Sequence, residues 1–138
     1  MKKNLLIITL LFICTVSSMA QGKFNPEKFK AEIHRYITEE AKLTKEEAAA
    51  FFPLFDAMKE KQRALFSQKK ALTKQMPTTD AACRTAIQKH DQLDREMNAL
   101  ESKYHKEMLK VVSPVKVYNA LNADRRFMRN TFKKAAKR

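Results

Sequence analysis

One glycine and four prolines in 138 residues leave almost nothing from which to build tight turns. Strand hairpins recruit Gly, Asn and Asp where φ must be positive, so so little glycine argues against a sheet and for a chain that is nearly all helix. Long hydrophobic runs are also missing. The one long uncharged, mainly apolar stretch, Leu5 to Val16, is about a dozen residues, short of the ~20 that a spanning helix needs. Acidic residues are scarce beside basic ones, with 15 Asp and Glu against 28 Lys and Arg for a net charge of +13. No Gly-rich phosphate loop, no nucleophile elbow and no dense Asp/Glu/His cluster occurs, so the sequence predicts neither an enzyme nor a cofactor. What remains is 44% hydrophobic and 31% charged residues in 16.0 kDa, enough apolar material for one core and one domain, and too much for intrinsic disorder.

The N-terminus reads as an export signal. Lys2 and Lys3 precede the apolar run, and Ser18 and Ala20 occupy the small-residue positions of a cleavage site. Residues 1–20 are therefore expected to be a signal peptide, and 21–138 a single all-helical domain in the periplasm. Acylation at Cys14 is the competing reading, set back by the bulky Ile13 before it. Cleavage removes two lysines and no acid, so a charge of +13 becomes +11. It also leaves Cys83 as a lone thiol where disulfides can form, either buried at a helix contact or bridging two molecules.

Caps and periodicity predict four helices. Asn25-Pro26-Glu27 opens the first, with Phe29, Ile33, Tyr36 and Ile37 on one face over about 26–40. Leu43-Thr44-Lys45-Glu46-Glu47 is a capping box in which Thr44 and Glu47 exchange backbone bonds, with Leu43 as a staple against Ala48. The second helix then carries Ala48, Phe51, Phe52, Phe55, Met58, Leu65, Phe66 and Leu72 to about residue 75, with a kink expected near Pro53. A break at Met76-Pro77-Thr78-Thr79, with Thr79 or Thr78 as the cap, precedes a third helix from Asp80 to about Val111, on which Ala86, His90, Leu93, Met97, Leu100, Tyr104 and Met108 recur at threes and fours. Ser113-Pro114 opens the fourth, with Val117, Tyr118, Leu121, Met128 and Phe132 as its apolar stripe and a basic tail. A third helix of ~32 residues measures about 48 Å, so the molecule is expected to be elongated.

The openings Leu43-Thr44-Lys45-Glu46-Glu47 and Val112-Ser113-Pro114-Val115-Lys116, about 69 residues apart, resemble the paired Leu-Thr-x-x-Gln motifs of the Spy/CpxP family of periplasmic chaperones. Ala49-Ala50-Phe51-Phe52-Pro53-Leu54-Phe55 resembles the segment that follows the first motif in that family. The resemblance covers about residues 27–132. Glu47 replaces the first Gln, and Val112, Ser113 and Lys116 replace all three defining residues of the second motif. Lys116 is a donor only, so it cannot repeat the reciprocal cap. The resemblance implies a curved, elongated four-helix hairpin subunit, pairing into an antiparallel cradle-shaped homodimer that holds unfolded or misfolded envelope proteins without ATP.

On that reading, a client-binding face would combine Phe55, Met58, Lys59, Lys61, Arg63 and Phe66 of the second helix with Arg125, Arg126, Phe127, Arg129 and Phe132 of the fourth. Charge speeds encounter and apolar side chains hold the client. Phe127 and Phe132, five residues apart, cannot share one narrow stripe, so at least one is expected at the surface. Each apolar residue of the set also has a plain reading as core beside a solvated charged edge. Met58, Met97 and Met108 fit gap-filling in the core better than client contact. Two other functions compete: an adaptor docking its basic face on the acidic periplasmic domain of a membrane sensor, and a metal sensor or buffer using His105 with Glu101 and Met108, joined by His34 or His90. The metal set is thin, with no His-x-x-x-His pair. Nucleic acid is the usual partner of so basic a chain, but export separates the two, whereas contact with a membrane surface stays open.

Overall fold

The structure, a computed structural model, describes residues 24–137. The expected signal peptide lies outside the described residues. Four helices follow in order, α1 (Pro26–Ala41), α2 (Lys45–Lys74), α3 (Asp80–Val111) and α4 (Pro114–Ala135), with no strand among the described residues. The protein is all-helical, as the lack of glycine implies.

Local chemistry sets most of the helix ends. Asn25 Oδ1 accepts from Lys28 N at 3.1 Å and Pro26 takes the first helical position, where a missing N–H costs nothing. Both bonds of the Thr44 capping box form, Glu47 N to Thr44 Oγ1 at 3.1 Å and Thr44 N to Glu47 Oε2 at 2.8 Å. Thr79 caps α3 by accepting from Ala82 N at 3.2 Å. Ser113 departs from expectation, because its side chain makes no capping bond. Ser113 is exposed, so water can serve the free donors of the first turn, and Pro114 takes the first helical position. α2 continues from Lys45 to Lys74 through Pro53, which is exposed.

α1 ends differently. Lys42 adopts the left-handed conformation, φ 52° and ψ 46°, while Leu43 N donates to Thr38 O at 3.1 Å. This conformation crowds Cβ against the backbone, and glycine would hold it without that penalty. It turns the chain so that Leu43 enters the core and Thr44 can cap α2.

α2 and α3 form an antiparallel hairpin. Gln62 Nε2 donates to Glu101 Oε1 at 2.7 Å, Lys69 pairs with Asp94, and Lys61 Nζ stands 5.5 Å over the Tyr104 ring. α1 and α4 pack on each other and close over the first half of this hairpin. The resulting core gathers Ile33, Ile37, Phe51, Phe52, Phe55, Met58, Tyr104, Met108 and Val117, with Ala120 and Ala123 allowing α4 a close approach. Phe51 lies 5.4 Å from Phe52 and 5.6 Å from Phe55 between ring centroids, separations at which aromatic pairs add about 0.5–1.5 kcal/mol beyond area burial. Between Met58 on α2 and Tyr104 on α3, Leu93 is the one buried residue among the described residues. Two helices alone can seal only the stripe between them, so this distal half of the hairpin stays thinly covered.

Candidate functional site

The two helix openings meet. Leu43 and Val112, which precede them, are buried in the same cluster, and Lys116 Nζ donates to Glu47 Oε2 at 2.6 Å across 69 residues of sequence. Lys116 cannot cap its own helix; it joins the acid that caps α2. That donation, reinforced by the Thr44 backbone N–H, holds the Glu47 carboxyl below its ordinary range. Two further ion pairs tie α4 down: Lys59 Nζ donates to Asp124 Oδ2 at 2.9 Å, and Arg126 pairs with Glu40. Asp124 is buried, and its other oxygen has no hydrogen-bond partner among the described residues.

The residues expected on a client-binding face divide sharply. Phe55 and Met58, at 1% and 2% exposure, are core residues and not surface contacts. They sit on the α2 stripe that α1 and α4 cover, and there apolar side chains gain most from leaving water. Lys59 is committed to Asp124 and lies 5.7 Å over the Phe55 ring. Lys61 is exposed over Tyr104, on the opposite side of α2 from Arg63 and Phe66. Arg63, Phe66 and Lys70, spaced three and four apart, share one outward stripe, with Phe66 63% exposed.

On α4, Phe127 is half-buried, its ring 5.5 Å from Phe29 and 5.6 Å from Tyr36. Phe132 is 65% exposed, so the spacing argument that separated these two rings holds. Arg125 and Arg129 are exposed on the Phe132 side of the helix, while Arg126 is drawn towards Glu40. The α2 and α4 groups are linked through the Lys59–Asp124 pair.

The sequence places Tyr118 and Phe132 on the apolar stripe of α4 with Val117, and the structure exposes both, each at 65%. The same reading omits Val115, Ile87 and Met76, all largely exposed. The signal for Val115 and Tyr118 was available: Val115, Tyr118, Asn122, Arg125, Arg129 and Phe132 recur at alternating threes and fours, a second stripe interleaved with the first. Ile87 stands between two shallow hollows on the hairpin, one beside Cys83 and one beside Leu72. Cys83 is half-buried, and its thiol donates to Pro77 O at 3.3 Å.

The histidines do not converge. His34 Nε2 donates to Asp56 Oδ1 at 2.7 Å and stacks on Phe52, whereas His90 pairs with Asp94 one turn on. Among the described residues, no three His, Cys, Asp or Glu side chains are placed to hold a metal ion, and no helix is long and apolar enough to cross a membrane. No protein-family model, curated protein or solved structure matches the chain.

Proposed function

We propose that the protein is an exported, ATP-independent holdase of the Spy/CpxP kind, which keeps unfolded envelope proteins from aggregating. The observation that carries this reading is the pairing of exposed phenylalanines with exposed cations that make no ion pair among the described residues. Phe66 beside Arg63 and Lys70, and Phe132 beside Arg125 and Arg129, are 63% and 65% exposed on helices whose other faces are packed. Long-range attraction from the cations and non-directional contact from the rings give loose, broad affinity for unfolded chain. Phe55 and Met58 have no part in this surface. The subunit is proposed to be an elongated, curved hairpin, and two of them to pair as a cradle that multiplies the two stripes. The paired helix openings support the family assignment, because Glu47 and Lys116 occupy the motif positions and bond each other.

Light scattering from a chemically denatured client tests the proposal. An equimolar amount of the protein, without nucleotide, is expected to suppress aggregation. Phe66→Glu with Phe132→Glu should reduce that suppression while leaving the melting midpoint within a degree or two, as expected for exposed positions. Unaltered aggregation of several unrelated clients in the presence of the parent protein would count decisively against a holdase.

A further inference from the structure

α4 carries two stripes of different chemistry. The first, through Val117, Ala120 and Asp124, faces the core. The second runs through Val115, Tyr118, Asn122, Arg125, Arg129 and Phe132. At 100° per residue these six positions fall within a sector about 100° wide, along about 26 Å of helix. Val115, Tyr118 and Phe132 are 69%, 65% and 65% exposed, and both arginines are exposed.

The charge on this side is of one sign. Asp124, the one acid of α4, is turned inward to Lys59. From Arg125 to Lys137 the chain has six cations, Arg125, Arg126, Arg129, Lys133, Lys134 and Lys137, and no acid. Of these, Arg126 alone is in an ion pair among the described residues. α3 differs, because its cations alternate with acids such as Asp91, Glu96 and Glu107. The positive field is therefore concentrated on α4 and is not a uniform consequence of net charge.

We infer that this outward face of α4 docks on the surface of an anionic phospholipid bilayer. A second copy packed α4 against α4 would set Arg125 and Arg129 against their own kind. The face is the outward side of one helix with charge of one sign along it, so a plane of anionic headgroups can meet it along its length. Arginine forks take phosphate oxygens two at a time, and aromatic side chains at the ends of the face settle at the headgroup level. With three apolar side chains on the face, attachment is peripheral and weakened by salt, without deep insertion. This inference goes beyond client holding and does not depend on it.

The test is co-sedimentation with vesicles, using the protein freed of residues 1–20, which retains every described helix and core residue. Binding is expected to vesicles of phosphatidylcholine with phosphatidylglycerol, to be absent with phosphatidylcholine alone, and to fall as sodium chloride rises. Arg125→Glu with Arg129→Glu should weaken it by about tenfold or more, since each headgroup contact is lost and replaced by repulsion. Phe132→Ala should weaken it a few-fold at unchanged charge. Lys103→Glu with Lys106→Glu makes the same change in net charge on α3 and should leave binding within about twofold, as expected when the face and not the total charge is read. An equal loss from the α3 pair would overturn the inference, as would binding to poly-glutamate but not to the anionic vesicles, which would assign the face to an acidic protein. Circular dichroism confirms that each variant is folded. No client is present, so this outcome and that of the aggregation assay are independent.

Discussion

Lys42 holds the one left-handed backbone conformation among the described non-glycine residues, and the turn from α1 to α2 depends on it. An L-residue there costs about 1–2 kcal/mol, part of which glycine would give back through its greater freedom in the unfolded chain. Lys42→Gly is therefore expected to stabilise the fold by about 0.5–1 kcal/mol, read as a higher midpoint in thermal or urea unfolding. Lys42→Ala, which keeps the Cβ, should give no gain. The residue scale was also where the sequence was most legible. Asn25, Thr44 and Thr79 cap their helices because a capping bond spans three residues and depends on nothing else. Ser113 shows the limit of such reading, since a capping residue in place does not oblige its hydroxyl to bond.

At the scale of elements, the contrast within α2 is the most informative. Phe55 and Phe66 are three helical turns apart on one helix, yet the first is buried under α1 and α4 and the second is exposed. Phe55→Ala should cost about 3–5 kcal/mol, because it leaves a cavity in a packed aromatic cluster. Phe66→Ala should cost about 0.5 kcal/mol or less. Urea denaturation of both variants checks the difference, and comparable losses would mean that the distal hairpin is covered. Periodicity alone could not separate these positions. A three-four pattern shows that a helix has an apolar stripe, but the length of stripe that is covered depends on where its neighbours end. α4 repeats the lesson, because its two stripes have the same period and only packing shows which faces inward.

For the whole molecule, cross-helix ion pairs hold separate stretches of chain together and should make stability sensitive to acid. The Lys116 bond lowers the Glu47 carboxyl from its ordinary value of 4.5, and the Lys69 bond, with a smaller contribution from His90, lowers Asp94 from 3.8. A carboxyl lowered on folding binds fewer protons in the folded state than in the unfolded one. Its stabilising contribution is complete above the ordinary value and is lost as pH falls through the lowered one. The thermal midpoint is therefore expected to drop between about pH 5 and about pH 2, and Glu47→Gln should flatten part of that slope. Parallel curves for the parent and Glu47→Gln would show that the Glu47–Lys116 bond contributes nothing. Both partners of each pair are partly solvated, so the effect per pair is modest.

Composition and local pattern specify that the chain is helical, where the four helices begin and the first three end to within about a residue, and that positive charge accumulates after Asp124. These properties arise from interactions within one turn of helix or from composition, and neither needs the rest of the molecule. Tertiary structure decided that Phe55 and Met58 are core, that Tyr118 and Phe132 face outward, and that Glu47 and Lys116 meet across 69 residues. The physical reason is that burial belongs to the meeting of two surfaces: a stripe becomes core only where another helix lies over it, and no local pattern records the position of that second helix.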